Sequence, residues 1–208
     1  MTDNIDKYNK GNATVKNGAD DQKSDKTDNL ENNIEDNERK MVDVIIPTYR
    51  PAKEFGELLH RLEKQEYRPN RILVMNTGKE YWNSEWENYP LLEVHHLDQK
   101  DFDHGGTRKR AAELSTADIM VFMTQDALPA DRKMIGNLVR AVSRNSGTGA
   151  AYARQLPNAD CRFLERYTRS FNYPEQSSVK SLSDVETYGI KTYFCSNVCA
   201  AYDREIYQ

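Results

Sequence analysis

Ile119-Met-Val-Phe-Met-Thr-Gln-Asp126, followed by Ala127-Leu-Pro129, is an apolar run that ends in an acid. Ile119 to Met123 is too short for a membrane span and suits a strand buried on both faces. Thr124, Gln125 and Asp126 would emerge at its carboxyl end, and Pro129 keeps the following chain from running on as helix. In open α/β sheets the ligand crevice lies outside the carboxyl ends of the strands. A carboxylate there can hold a hard cation such as Mg²⁺ together with the oxygens of a substrate phosphate. In isolation Asp126 reads first as a loop acid or helix cap. The rest of the chain changes the balance.

Upstream and downstream of this run, strand and helix alternate. Val42 to Pro47 is a short β-branched strand. Phe55, Leu58, Leu59 and Leu62 follow the i, i+3, i+4, i+7 rule and predict an amphipathic helix over Pro51 to Gln65. Ile72 to Met75 and Leu91 to Leu97 read as strands, and Thr107 to Leu114 as a short helix. Ile135, Leu138, Val139 and Val142 predict a helix over Asp131 to Arg144, and Gly149 to Arg154 a fifth strand. This order argues for an α/β domain with a mainly parallel sheet flanked by helices. From Leu156 to Lys191 the pattern is lost apart from a short helix at Ser181 to Glu186, and that stretch reads as a substrate-facing excursion. Strand character returns at Thr192 to Tyr202, and the chain then stops inside a new helix, Asp203 to Gln208, which reads as a truncation.

The 208 residues suit one domain, 41–208, preceded by a polar tail, 1–40, expected to be disordered. The tail carries 7 Lys and Arg against 10 Asp and Glu, so it holds −3 of the total −4. The nearly neutral body gives no case for nucleic-acid binding, and the charged amino terminus excludes a secretory signal. Cys161, Cys195 and Cys199 have no metal-ligand spacing and read as buried free thiols in a reducing cytoplasm. No segment approaches the roughly 20 apolar residues of a membrane helix, so a soluble or peripherally attached protein is expected.

In a parallel sheet four loops would share one edge: Pro47-Thr48-Tyr49-Arg50, Asn76-Thr-Gly-Lys79, Asp101-Phe-Asp-His-Gly-Gly-Thr-Arg108 and Thr124-Gln-Asp126. They could supply groups for a base, a glycine-rich helix start for an anion, and a carboxylate for a metal. Arg108 could add a charge-assisted contact.

With Val44-Ile-Ile-Pro-Thr-Tyr49, Phe102-Asp-His-Gly-Gly-Thr-Arg108, Thr124-Gln-Asp-Ala-Leu-Pro129 and Phe194-Cys-Ser-Asn-Val-Cys-Ala-Ala-Tyr202, the chain from about Met41 onward resembles family 2 glycosyltransferases of the GT-A fold, and bacterial rhamnosyltransferases in particular. The resemblance implies inverting transfer of a sugar, rhamnose from dTDP-rhamnose, to a saccharide or lipid-linked saccharide acceptor in polysaccharide synthesis, in the cytoplasm at the inner face of the membrane. It implies a base pocket at Pro47, Thr48 and Tyr49, and nucleotide contacts from Asp103, Gly106 and Arg108. The family's Asp-x-Asp falls on Thr124, Gln125 and Asp126, with Asp126 the ligand of Mg²⁺ or Mn²⁺. Ser196 and Asn197 would approach donor sugar or acceptor.

Three departures qualify this reading. Thr124 replaces the first acid, so any ribose contact it makes is neutral. Asn76 stands where relatives carry a base-reading Asp, which leaves the nucleotide open. The relatives' general base falls after the position of Tyr207, beyond Gln208, so no catalytic residue is assigned within the chain. A non-catalytic nucleotide-sugar-binding fragment is the rival reading. A nucleotidyltransferase is a weaker one, because no glycine-rich basic loop follows the first strand.

Overall fold

A computed structural model describes residues 39–145, 147–157 and 160–208. The expected disordered tail, apart from its last two residues, lies outside the described residues.

The elements are β1 (Val42–Tyr49), α1 (Glu54–Glu63), β2 (Arg71–Thr77), β3 (Leu92–Leu97), α2 (His104–Leu114), β4 (Ile119–Met123), α3 (Met134–Val142), β5 (Ala150–Tyr152), α4 (Phe163–Asn172), α5 (Val185–Tyr188), β6 (Cys199–Asp203) and α6 (Arg204–Tyr207). One six-stranded sheet runs in the order β3-β2-β1-β4-β6-β5. β3, β2, β1 and β4 are mutually parallel, and β6 is antiparallel to both β4 and β5. The carboxyl ends of β1 to β5 therefore share one rim with the chain entering β6.

The alternation of side chains across β1 and β2 divides the core in two. Val42, Val44, Ile46, Ile72 and Val74 face the layer of α1 and α3, where Phe55, Leu58, Leu59, Leu62, Ile135, Leu138, Val139 and Val142 pack. Ile45, Leu73, Met75, Met120 and Phe122 face α2, which offers Ala111 and Ala112. Both faces of the central strands are covered, which explains their unbroken apolar runs. Trp86 closes the α1 side edge-on to Phe55, with ring centroids 5.0 Å apart. Gly56 makes room for it, since a Cβ there would lie 3.2 Å from the indole nitrogen. Trp82 lies edge-on to both Phe55 and Trp86, so the two tryptophans form a cover over α1.

Most predicted elements are present with shifted ends: α1, β3, α3 and β5 are shorter than expected, and β1 and β2 longer. α2 starts earlier, at His104, because Asp103 caps it: its carboxylate accepts from Gly106 N–H, and Asp103 N–H donates to Thr107 Oγ1. The strand expected over Thr192 to Tyr202 exists only from Cys199, since 189–193 forms a 3-10 turn entered through Gly189 at φ +54°. The helix expected near Ser181 is split into a 3-10 turn, Leu182–Asp184, capped by Ser181, and α5. The stretch taken as irregular contains α4. All three cysteines are free, but only Cys199 is buried, its thiol pushed up to about 12 by burial; Cys195 is exposed.

Opposite the loop rim, one buried acid ties strands to helix. Asp43, fully buried, accepts from Arg71 at 2.9 Å and from Ser115 Oγ at 2.8 Å. Arg71 also donates to Glu93 and to the Leu114 carbonyl at the end of α2. Because Arg71 keeps Glu93 while Ser115 loses its buried acceptor, Asp43→Ala is expected to cost about 1–3 kcal/mol, read as a lowered urea midpoint; an unchanged midpoint would refute this role.

Candidate functional site

The strand order reverses direction between β1 and β4, and such switch points open the ligand crevice of α/β sheets. β1 pairs with β4 only as far as Ile45 opposite Phe122, although it pairs with β2 through Tyr49 opposite Thr77. The last residues of β1 therefore have no strand on their β4 side. Gln125 fills part of that gap: Tyr49 N–H donates to Gln125 Oε1 at 2.8 Å, and Gln125 Nε2 donates to the Tyr49 carbonyl at 3.1 Å. A side-chain amide here stands in for a strand partner.

Asp126 follows on the turn closed by Ala127 N–H to the Thr124 carbonyl, with its carboxylate exposed and engaged by no described protein group. Beside it, Thr124 Oγ1 is buried without a protein partner. Thr77 Oγ1 at the end of β2 and Arg108 Nε in the first turns of α2 are likewise buried and unpartnered. Buried polar atoms are nearly always paired, so three such atoms along one rim suit a site completed by a polar ligand or water.

Of the residues expected at the base, Pro47 is half-buried, while Thr48 and Asn76 lie beneath the surface. Thr48 Oγ1 donates to Asn76 Oδ1 at 2.9 Å, and the Asn76 amide donates to the Gly78 carbonyl and meets His96 Nδ1 at 3.0 Å. These two brace the first and second loops against each other. The exposed layer above is Tyr49 with two residues that the sequence reading left unassigned, Arg50 and Tyr81. Arg50 donates to Tyr81 Oη at 2.7 Å and lies over both rings, 4.3 Å from Tyr81 and 5.1 Å from Tyr49. Arg50 sits at φ +47°, a strained value for a side-chain-bearing residue that these contacts hold in place. Gly78, at φ +81°, is required because a Cβ would come within 2.9 Å of the Tyr81 ring.

The third loop differs from expectation in one respect. The Gly106 N–H, expected to be open to an anion, is taken by the Asp103 carboxylate. Gly106 is needed for that closeness, a Cβ lying 2.9 Å from Asp103 Oδ2. Arg108 donates to the His104 carbonyl and lies near Tyr202, whose hydroxyl pKa burial raises. Tyr202 Oη donates to Asn197 Oδ1 at 2.5 Å, which links the exposed Asn197 to this corner.

Ser196 is buried rather than open. Its hydroxyl accepts from Tyr173 Oη at 2.8 Å and Gln155 Nε2 at 3.0 Å, and Arg169 donates to Gln155 Oε1 at 2.8 Å. This network borders a cavity of about 520 Å³ lined by Gln155, Tyr173, Arg162 and the α4 residues Leu164, Thr168 and Arg169. It lies at the same rim because β6 is antiparallel to β4, and Thr124 N–H donates to the Val198 carbonyl. Tyr173 was missed because its part depends on α4, whose helix was not recognised.

Among the described residues no group of three or more His, Cys, Asp or Glu could hold a metal alone. One exposed carboxylate beside an unpaired hydroxyl suits a Mg²⁺-like ion that keeps waters and takes phosphate oxygens as its other ligands. The residues present therefore fit a substrate-borne metal, held by Asp126.

The six-stranded sheet, with its order reversing between β1 and β4, defines the class: a GT-A type α/β domain. The mannosyltransferase PcManGT from Pyrobaculum calidifontis, solved with GDP-Man and Mn²⁺, superposes with a TM-score of 0.57 at 21% identity, covering 80% of this chain and 45% of that one. The glycosyl transferase family 2 model matches residues 43–208, and the chain belongs to that family. The chain is 38% identical over 174 residues to the O-antigen chain rhamnosyltransferase RfbN of Salmonella typhimurium, covering 80% of this chain and 54% of that protein. It is 29% identical over 167 residues to WbaN of Salmonella anatum, also an O-antigen chain rhamnosyltransferase, covering 79% and 53%. The chain thus spans about half the length of these curated relatives.

Two local predictions follow from the hydrogen bonds. Gln125→Ala removes both contacts to Tyr49, so the Tyr49 amide should exchange with solvent roughly tenfold faster or more; unchanged exchange would show that Gln125 bears no load. His96 is held neutral by burial, with Lys79 adding to the effect, and its Nδ1 faces the Asn76 amide. Its pKa is lowered, so its contribution is present above the ordinary imidazole value of 6.5 and is lost as pH falls through the lower folded value. An imidazole NMR titration should place His96 below 6.5, and a midpoint above that would contradict the arrangement.

Proposed function

We propose that this chain carries the donor site of an inverting glycosyltransferase that moves rhamnose from dTDP-rhamnose to a saccharide or lipid-linked saccharide acceptor in O-antigen-type polysaccharide synthesis. It would work in the cytoplasm, attached peripherally to the inner face of the membrane. The observation that carries the reading is the end of β1 left without a strand on its β4 side, bridged by Gln125 and followed by Asp126 with an exposed, unengaged carboxylate. Support for the substrate class comes from the rhamnosyltransferase relatives.

In this reading the base lies against Tyr49, with Arg50 and Tyr81 as the adjoining wall and Pro47, Thr48 and Asn76 as the floor. The face of Tyr49 offers stacking, and the floor keeps loop geometry fixed without charge. Thr124 gives its unpaired hydroxyl to the ribose or diphosphate, and Arg108 adds positive charge on the far side. Asp126 holds Mg²⁺ or Mn²⁺, which when bound neutralises the departing nucleoside diphosphate. Asp103 and Gly106 position Arg108 by capping α2. Ser196, fixed by Gln155 and Tyr173, and Asn197, fixed by Tyr202, face the sugar or acceptor side. Displacement in one step requires a base opposite the leaving group, and no residue of this chain is assigned that role.

Calorimetry with dTDP tests the donor site. Binding should tighten when Mn²⁺ is added, and Asp126→Ala should lose roughly ten- to hundredfold in affinity and most of the metal dependence. Equal affinity with and without metal in the unaltered protein would remove Asp126 from its role.

A further inference from the structure

The polar groups on the floor of the proposed base pocket are already spent on one another. Asn76 is fully buried, its Oδ1 accepts from Thr48, and its amide nitrogen meets the Gly78 carbonyl and His96 Nδ1. Thr48 gives its hydroxyl proton to Asn76, and the backbone N–H and C=O of Tyr49 are taken by Gln125. Pro47 has no N–H to offer. A base arriving over this floor finds no free directional group in it, so any reading of the base falls to the exposed layer above.

Arg50 is the charged group that this layer holds in place. One of its N–H groups donates to Tyr81 Oη at 2.7 Å, and the others engage no described group. Its guanidinium also lies over the Tyr81 and Tyr49 rings, so its position is fixed although its surface is open. Lys79 and Glu80 are exposed on the second loop without such a hold. Tyr81 follows β2, and β2 lies on the opposite side of β1 from β4, which carries Asp126. Arg50 is therefore drawn toward the base end of the proposed site and away from its metal end. A ring laid on Tyr49 would turn an edge toward this guanidinium.

A guanidinium only donates, so it pairs with a carbonyl oxygen on a base edge and leaves an amino group facing it without a partner. We infer that Arg50 selects the nucleobase of the donor, favouring a pyrimidine with a carbonyl at position 4, as in thymine or uracil, over cytosine, which carries an amino group there. Tyr81 acts as the positioning residue for Arg50. The inference rests on the proposed donor site and names the side chain that discriminates within it.

The test is calorimetry of the full chain in Mn²⁺ with dUDP and dCDP, which share sugar and diphosphate and differ along one edge of the base, and with dTDP alongside. The unaltered protein should bind dUDP and dTDP roughly tenfold or more tighter than dCDP. Arg50→Met should weaken dUDP and leave dCDP nearly unchanged, bringing the two within about threefold of each other. Arg50→Lys keeps the charge without the planar fork and should also lose most of the preference. Tyr81→Phe frees the guanidinium without removing it, and should reduce the preference less than Arg50→Met does. Retained dCDP binding shows that the variants are folded. Equal affinity of the unaltered protein for dUDP and dCDP would overturn the inference, and so would a preference that survives Arg50→Met. A parallel loss of both nucleotides in Arg50→Met would overturn it too, because Arg50 would then serve the diphosphate, and the donor site itself would stand. Binding of none of the three nucleotides by the unaltered protein would instead remove the donor site, and this inference with it.

Discussion

The geometry of the rim depends on an uneven sheet. β1 pairs with β2 as far as Tyr49, but its pairing with β4 stops at Ile45. A strand end with one side open exposes backbone donors and acceptors that must be satisfied. Gln125 satisfies one N–H and one C=O of Tyr49 with a single side chain, at the net worth of about 0.5–1.5 kcal/mol per bond. The same amide fixes the spacing between the turn bearing Asp126 and the loop bearing Tyr49. A side chain of this length leaves an opening where a β4 continuation would have closed the sheet. The gap beside the end of β1 is a consequence of one strand being longer than its neighbour.

What holds this rim in position is set at the opposite edge. Asp43, Arg71, Glu93 and Ser115 lock the starts of β1 and β2 to the end of α2. With its last turn anchored there, and Ala111 and Ala112 packed on the sheet, α2 places its capped first turn at the loop rim. Arg108 is thereby delivered to the rim by a rigid helix rather than by a loop. The polar ties lie at the two edges, and the apolar strand centres between them carry the burial energy. Acidic and basic groups of the lower edge are therefore structural, whereas Asp126 at the upper edge has no internal partner. That contrast is a physical reason to place chemistry at the upper edge.

Hydrophobic spacing made the sheet and its two covering helices legible. Phe55-Leu58-Leu59-Leu62 and Ile135-Leu138-Val139-Val142 contribute the whole apolar faces of α1 and α3, and five apolar residues in a row could only be the doubly covered β4. The exit of Asp126 from that strand was legible for the same reason. The parts taken by Thr48, Asn76, Gln125 and Ser196 were not, because a polar residue after a strand can face solvent or turn back onto its own backbone. Which of these happens depends on partners 20 to 76 residues away. α4 was hidden by the opposite cause. Its apolar residues have helical spacing, but they are mixed with arginines because the apolar side faces outward, and a pattern search expects the stripe to serve the core.

β6 gives the rim its last constituent, and it does so through direction alone. Had the strand beside β4 been parallel, its amino-terminal approach would have come from the Asp43 edge, and Ser196 and Asn197 would lie far from the crevice. Running antiparallel, β6 begins at the rim, so Thr124 can bond to the Val198 carbonyl while Ser196 meets Gln155 from the end of β5. Two kinds of surface then adjoin: a crevice with a free carboxylate and unpaired hydroxyls, and a cavity walled by the polar side of α4. Because Arg169 both fastens α4 and orients Gln155, any shift of that helix must also move the hydrogen-bond partner of Ser196. The helix and the ledge beneath it are therefore joined through the Gln155 side chain.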